Sequence, residues 1–213
     1  MGAGLSGQLA LSTPAASAAD PAQAQSLANL QDIAVAPGVA PWVAARLGIA
    51  GSNEAGLTYT GRSVRLDGRH AFTLGGPTLS IGIGGTLILP ERPGANPTTK
   101  SVTGGGADVP LLLGWTSQSE IYSIWVGPRG GFEFLGGSVP APPEAMAEPE
   151  ALDVDARHFF VGGVLGARVG FRHVHVAVEL DGAYHHAAGA LGNIEASLDQ
   201  ATITPSGALV VTF

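Results

Sequence analysis

The chain has 213 residues, a formal net charge of −7, no cysteine and only 13% charged residues, against roughly 25% in an ordinary soluble domain. With 10 Lys plus Arg against 17 Asp plus Glu, it offers no basic footprint for nucleic acid. The missing cysteines exclude a disulfide framework, a thiolate nucleophile and a cysteine-ligated metal.

Residues 1–38 read as a largely mobile arm ahead of one domain, 39–213. The stretch LSGQLALSTPAASAAD resembles the end of a secretory signal peptide, with Ala16-Ser17-Ala18 fitting its small-x-small cleavage pattern. It is either such a remnant or a low-complexity arm. Within 20–38 a short helix is expected, capped by Asp20 with Pro21 at its first position.

From 40 onward the apolar residues recur with period two, which is the period of a strand. In 42–50, Val43, Ala45, Leu47 and Ile49 oppose Ala44, Arg46 and Gly48. In 54–72 the phase slips once, at the TGRS of 60–63, which is either a hairpin turn or a bulge in one long strand. From Ala71 to Pro90 there is no charged residue or histidine, a length that could cross a bilayer as a helix. Yet Leu79, Ile81, Ile83, Leu87 and Leu89 alternate with Thr78, Ser80, Gly82, Gly84 and Thr86, and the glycines and Pro77 oppose a helix. The same alternation returns in 157–169 (Phe159, Val161, Leu165, Ala167, Val169), in 173–181 (Val174, Val176, Val178, Leu180) and at the end of the chain (Ile203, Leu209, Val211, Phe213).

A turn at 60–63 makes nine strands and a bulge makes eight. Closed antiparallel bacterial barrels normally have an even number, so eight strands are expected: 40–50, 54–72, 78–89, 107–116, 119–135, 157–169, 173–187 and 200–213. The fold class is then an all-β, closed antiparallel eight-stranded up-and-down transmembrane β-barrel with a flexible N-terminal arm. Short turns fall at one end and long connections at the other, as in outer-membrane barrels.

The charges sit on one side of this alternation. Arg46, Arg65, Asp67, Arg69, Arg168, His173, His175, Glu179 and Asp181 lie opposite the aliphatic faces and are expected to form a lumenal polar network. Trp42, Tyr59, Trp115, Tyr122, Trp125, Phe171 and Tyr184 lie near strand ends, as an interfacial girdle would. The final SGALVVTF, with Leu209, Val211 and Phe213 in alternation, resembles the carboxy-terminal signal of bacterial outer-membrane barrels, and 40–213 resembles the small eight-stranded outer-membrane family. That resemblance implies insertion by the barrel assembly machinery and residence in the lipid bilayer of a Gram-negative outer membrane. There Leu209, Val211 and Phe213 would be the insertion signal.

No enzymatic site is expected. His173 and His175 form a His-x-His pair on the face of Glu179, a pattern that can ligate a metal, but they read as lumenal hydrogen-bonding groups. His185 and His186 are adjacent and point to opposite faces, and His158 is the remaining histidine candidate for an enzymatic site. The glycine clusters at 104–106 and 130–131 lack the Lys-Ser/Thr of a phosphate loop. Glu144, Glu148, Glu150, Asp153 and Asp155 make an acidic connection without calcium-loop spacing. No catalytic residue, cofactor site or metal site is therefore assigned. The expected role is a structural anchor or surface-loop display protein with a filled lumen. The alternatives are a soluble eight-stranded barrel binding a small apolar ligand and a membrane-embedded lipid-modifying enzyme.

Overall fold

The computed structural model describes residues 1–12, 20–90, 101–140 and 151–213. The chain forms ten strands and one helix: β1 (Gly2–Ala10), α1 (Pro21–Ala34), β2 (Gly38–Gly48), β3 (Asn53–Tyr59), β4 (Ser63–Thr73), β5 (Thr78–Ile88), β6 (Ser101–Thr116), β7 (Tyr122–Pro140), β8 (Ala151–Phe171), β9 (Val174–Leu191) and β10 (Ile194–Val211). Each strand pairs antiparallel with its sequence neighbours, and β1 pairs with both β2 and β10, so the sheet closes without a free edge.

The expectation of eight strands is overturned at two places. At 60–63 the phase slip is a turn. Thr60 N donates to Ser63 O at 3.0 Å, their hydroxyls meet at 2.9 Å, and Gly61 takes φ of +79°, a left-handed conformation that glycine adopts without a Cβ penalty. The tenth strand is β1, inside the stretch read as a mobile arm. It aligns Leu5 with Gly207 of β10 and with Pro41 of β2. Only Leu5 and Leu9 give its outward face large side chains, and so its alternation is faint in sequence. The strands are also longer than expected, reaching 21 residues in β8, because residues 136–140, 151–156, 188–191 and 194–199, outside the expected strands, are strand. Ala16-Ser17-Ala18 and Glu144, Glu148 and Glu150 lie outside the described residues.

Both described chain ends and the turns at 49–52, 74–77, 117–121 and 172–173 lie at one end, here called the lower end. Helix α1 and the turns at 60–62 and 192–193 lie at the other, upper end. Asp20 caps α1 by accepting from Ala22 N at 3.0 Å, with Pro21 at the first helical position. Leu30, Ile33 and Ala34 of α1 are buried against inward residues of the upper strands: Val102, Leu135, Val139, Val154, Ala156, Ala187, Leu191 and Leu198. The helix therefore plugs the upper mouth. Arg62, in the β3–β4 turn, donates to the carbonyls of Asp32 and Ile33 at the last turn of the helix, where a cation meets the negative end of the helix dipole.

The wall changes character with height. In the lower part of β8 the outward residues are Phe159, Val161, Leu165, Val169 and Phe171, all exposed. In its upper part they are Asp153, Asp155 and Arg157, while Val154 and Ala156 are buried inside. β10 repeats the inversion: Ile203 and Leu209 face outward below, Glu195 and Asp199 above, with Leu198 buried inside. The β7 strand points Ile124, Val126, Phe132 and Phe134 outward. Among the described strands, the outward positions carry no Asp, Glu, Lys or Arg except Asp153, Asp155, Arg157, Glu195 and Asp199.

Candidate functional site

The lower lumen holds a chain of ion pairs across β2, β4, β6 and β7. Asp67 is buried and gathers three guanidinium groups: Arg46 at 2.8 Å, Arg65 at 3.1 Å and Arg69 at 3.3 Å. Arg65 also reaches Asp108 at 2.7 Å, and Asp108 reaches Arg129 at 3.3 Å. Arg46 continues outward to Glu54 at 3.6 Å. Space for these groups comes from glycine. A Cβ on Gly84 would overlap the Arg65 guanidinium, and one on Gly56 would overlap both the Asp67 carboxylate and Arg46. Buried charges are tolerated when paired and hydrogen-bonded, and here one carboxylate lies among several cations.

The opposite wall, β7 to β10, is acidic and aromatic. Glu179 accepts from Trp125 Nε1 at 2.9 Å. Trp125 is thus a lumenal donor and not part of a girdle, and Trp42 shares inward parity with Arg46. Arg168 donates to Ser123 Oγ at 3.2 Å. His175 is buried with no partner for its Nδ1. Asp181 shares the inward parity of Glu179 on β9, and Arg129 stacks over the Phe160 ring at 5.6 Å.

Of the nine residues expected in the lumen, Arg46, Arg65, Asp67, Arg69, Arg168, His175, Glu179 and Asp181 point inward. His173 does not. It lies in the exposed β8–β9 turn with its Nδ1 3.0 Å from Thr212 O. The His-x-His pair therefore does not converge, and among the described residues no group of three or more His, Asp or Glu side chains is arranged to hold a metal ion. Leu209 faces outward on β10, Val211 ends that strand, and Phe213 lies beyond it, 96% exposed.

Sequence reasoning did not bring together one further buried cluster. Just below the plug, Glu133 Oε2 lies 2.8 Å from His158 Nδ1. His158 Nε2 lies 2.9 Å from His185 Nδ1, and His185 Nε2 lies 2.9 Å from Thr202 Oγ1. His158, His185 and Thr202 are buried. These residues come from four different strands, and the only sequence signal was their shared inward parity. Above them Gln200 donates to Ser12 O at 2.6 Å.

On the outer wall, at the upper edge of the apolar band, Tyr184 Oη donates to Asp199 Oδ1 at 2.8 Å and His186 Nδ1 meets the same oxygen at 2.8 Å. Hydrogen bonds from His186, then Tyr184, hold the Asp199 carboxyl below the usual aspartate range. The chain matches no family model, no curated protein and no solved structure.

Proposed function

We infer that the chain is an integral β-barrel of a bacterial outer membrane, an anchor that presents its polar upper rim and connections at the surface while its lumen stays filled. The observation that carries this is the inversion of polarity along single strands. In water alone, a closed sheet gains nothing from an outward band of Leu, Val, Ile and Phe with charges turned inward. In hydrocarbon that arrangement is required, since lipid meets the apolar face and every backbone group is paired in a closed sheet. On β9 the apolar outward residues run from Val174 to Tyr184, which at about 3.4 Å per residue and a tilt near 45° spans roughly 25 Å, the height of an outer-membrane apolar band. Above it the same face turns to His186, Asp199 and Asp155, and the interior turns apolar around α1, as in a protein standing in water.

The lumen suits anchoring better than diffusion, because charged side chains crowd its wall in ion pairs and a helix closes its mouth. The lipid bilayer is then the principal partner, with the barrel assembly machinery acting during insertion. The test is extraction and migration of the expressed protein. It should leave membranes only with detergent, run faster on gels before heating than after, and give no large stable conductance in planar bilayers. Release by high salt alone would end the membrane reading, and a porin-like conductance would end the filled-lumen reading.

A further inference from the structure

The Glu133–His158–His185–Thr202 chain is the one buried titratable cluster described above that the anchoring role does not use. We propose that it is a proton-binding site whose double protonation releases α1 from the mouth of the barrel.

The proton positions follow from hydrogen-bond logic. An ionised Glu133 can only accept, so His158 donates from Nδ1. A neutral His158 then has a bare Nε2, which must accept from His185 Nδ1–H. His185 Nε2 is bare in turn and accepts from the Thr202 hydroxyl. One proton arriving from solvent can enter without breaking the chain. His158 Nε2–H then donates to His185 Nδ1, His185 Nε2–H donates to Thr202 Oγ1, and Glu133 offsets the single positive charge. A second proton places N–H groups on both facing nitrogens, 2.9 Å apart. Neither can accept, so the His158–His185 bond is lost and two imidazolium ions repel each other with ring centroids 5.1 Å apart.

The other charged groups around the pair do not absorb that repulsion. From β7, Arg129 approaches through Phe160, whose ring lies between it and the histidines. From β6, Asp108 is committed to Arg65 and Arg129. From β9, Glu179 is held by Trp125, and Asp181 lies two inward positions below His185. β8 adds Arg168, ten residues below His158 and bonded to Ser123. β10 contributes Thr202, Gln200 and Thr204, and the one charged side chain of α1 is Asp32, at its Arg62 end.

The cluster is the floor on which the plug rests. One inward step above Glu133, His158 and His185 stand Leu135, Ala156 and Ala187, all in the buried cluster with Leu30 and Ile33. Above Thr202 stand Gln200, which holds Ser12 O, and then Leu198. Pushing β8 and β9 apart at this level opens the contacts that seat the helix, while the ion pairs of β2 to β6 below remain in place.

This inference does not depend on what bathes the outer wall, and detergent micelles suffice for the test. Spin labels at Gln23→Cys on the exposed face of α1 and Glu195→Cys on β10 report the seating of the helix in the full chain. At about pH 8 they should give one narrow distance. At about pH 4, below the ordinary imidazole range near 6.5, that distance should be lost to a broad, longer distribution, with far-UV strand signal retained. His185→Gln should keep the narrow distance at both values. Glu133→Gln, which removes the anion offsetting the first proton, should move the transition toward neutral pH. An unchanged distribution at acid pH, acid broadening that persists in His185→Gln, or loss of the strand signal together with the distance would each overturn the proposal.

Discussion

The carboxylate of Asp67 lies 2.8 Å from Arg46 Nη2 and is shared with Arg65 and Arg69. Three cations therefore converge on one anion whose side chain is 1% exposed. Removing it leaves buried guanidinium groups without their common partner. Asp67→Ala is expected to cost about 3–5 kcal/mol, the loss typical of breaking a buried ion pair. Glu54→Ala should cost at most about 1 kcal/mol, since its side chain is 49% exposed. Urea unfolding of the refolded protein measures both, and equal losses would mean that Asp67 is not the hub.

Height on the wall should decide what a charge costs. Leu165 and Asp155 share strand and face, but Leu165 lies within the apolar band and Asp155 above it. In bilayers Leu165→Arg should lose about 2–4 kcal/mol and Asp155→Arg about 0–1 kcal/mol. Similar costs at the two sites, read from unfolding in vesicles, would place the lipid boundary elsewhere.

Gly84 and Gly85 are neighbours with opposite facing. A Cβ at Gly84 would overlap the Arg65 guanidinium, whereas one at Gly85 meets nothing within 4 Å. Gly84→Ala should cost about 1–3 kcal/mol through displacement of packed neighbours. Gly85→Ala should be neutral or stabilising by about 0.5 kcal/mol, because alanine has less backbone freedom to lose. A reversed order in denaturant titrations would invert the assigned facing.

Asp199 should give the upper rim an acid-side pH dependence. Its folded carboxyl is held below the ordinary aspartate value by His186 and Tyr184. Folding stability from this group is therefore fully present above the unfolded value, about 3.9, and is lost as pH falls through the lower folded value. Carboxyl chemical shifts followed by NMR should show Asp199 titrating below free aspartate, with His186→Ala moving it back up. No change in His186→Ala would assign the shift to another cause.

The plug offers a separate check. Leu30 is fully buried between α1 and the upper strands. Leu30→Ala should cost about 2–5 kcal/mol of local packing and speed proteolysis within α1 while leaving the lower strands protected from hydrogen exchange. Proteolysis unchanged from the parent would show that the helix is held by its ends alone.

The period-two face of Leu47, Ile81, Leu165 and Val176 was legible without coordinates, because alternation and the absence of charge on that face are local properties of the chain. So was the inward assignment of Arg46, Arg65, Asp67 and Arg69, which follows from the same parity. Strand number was not. The slip at Thr60–Ser63 is compatible with a bulge or a turn until the Tyr59–Val64 pairing is seen, and β1 lacks enough large side chains to show a period. An even count looked satisfied at eight only because one missed strand and one missed turn cancelled in parity. Partner choice lay further beyond reach. Asp108 and Arg129 join the ion-pair chain, and Glu133, His158, His185 and Thr202 meet below the plug, because closure of the sheet sets the stagger between β6, β7, β8, β9 and β10. Parity tells which side of the wall a residue occupies. Its height and its neighbours across the lumen depend on register and closure, which only the tertiary structure decides.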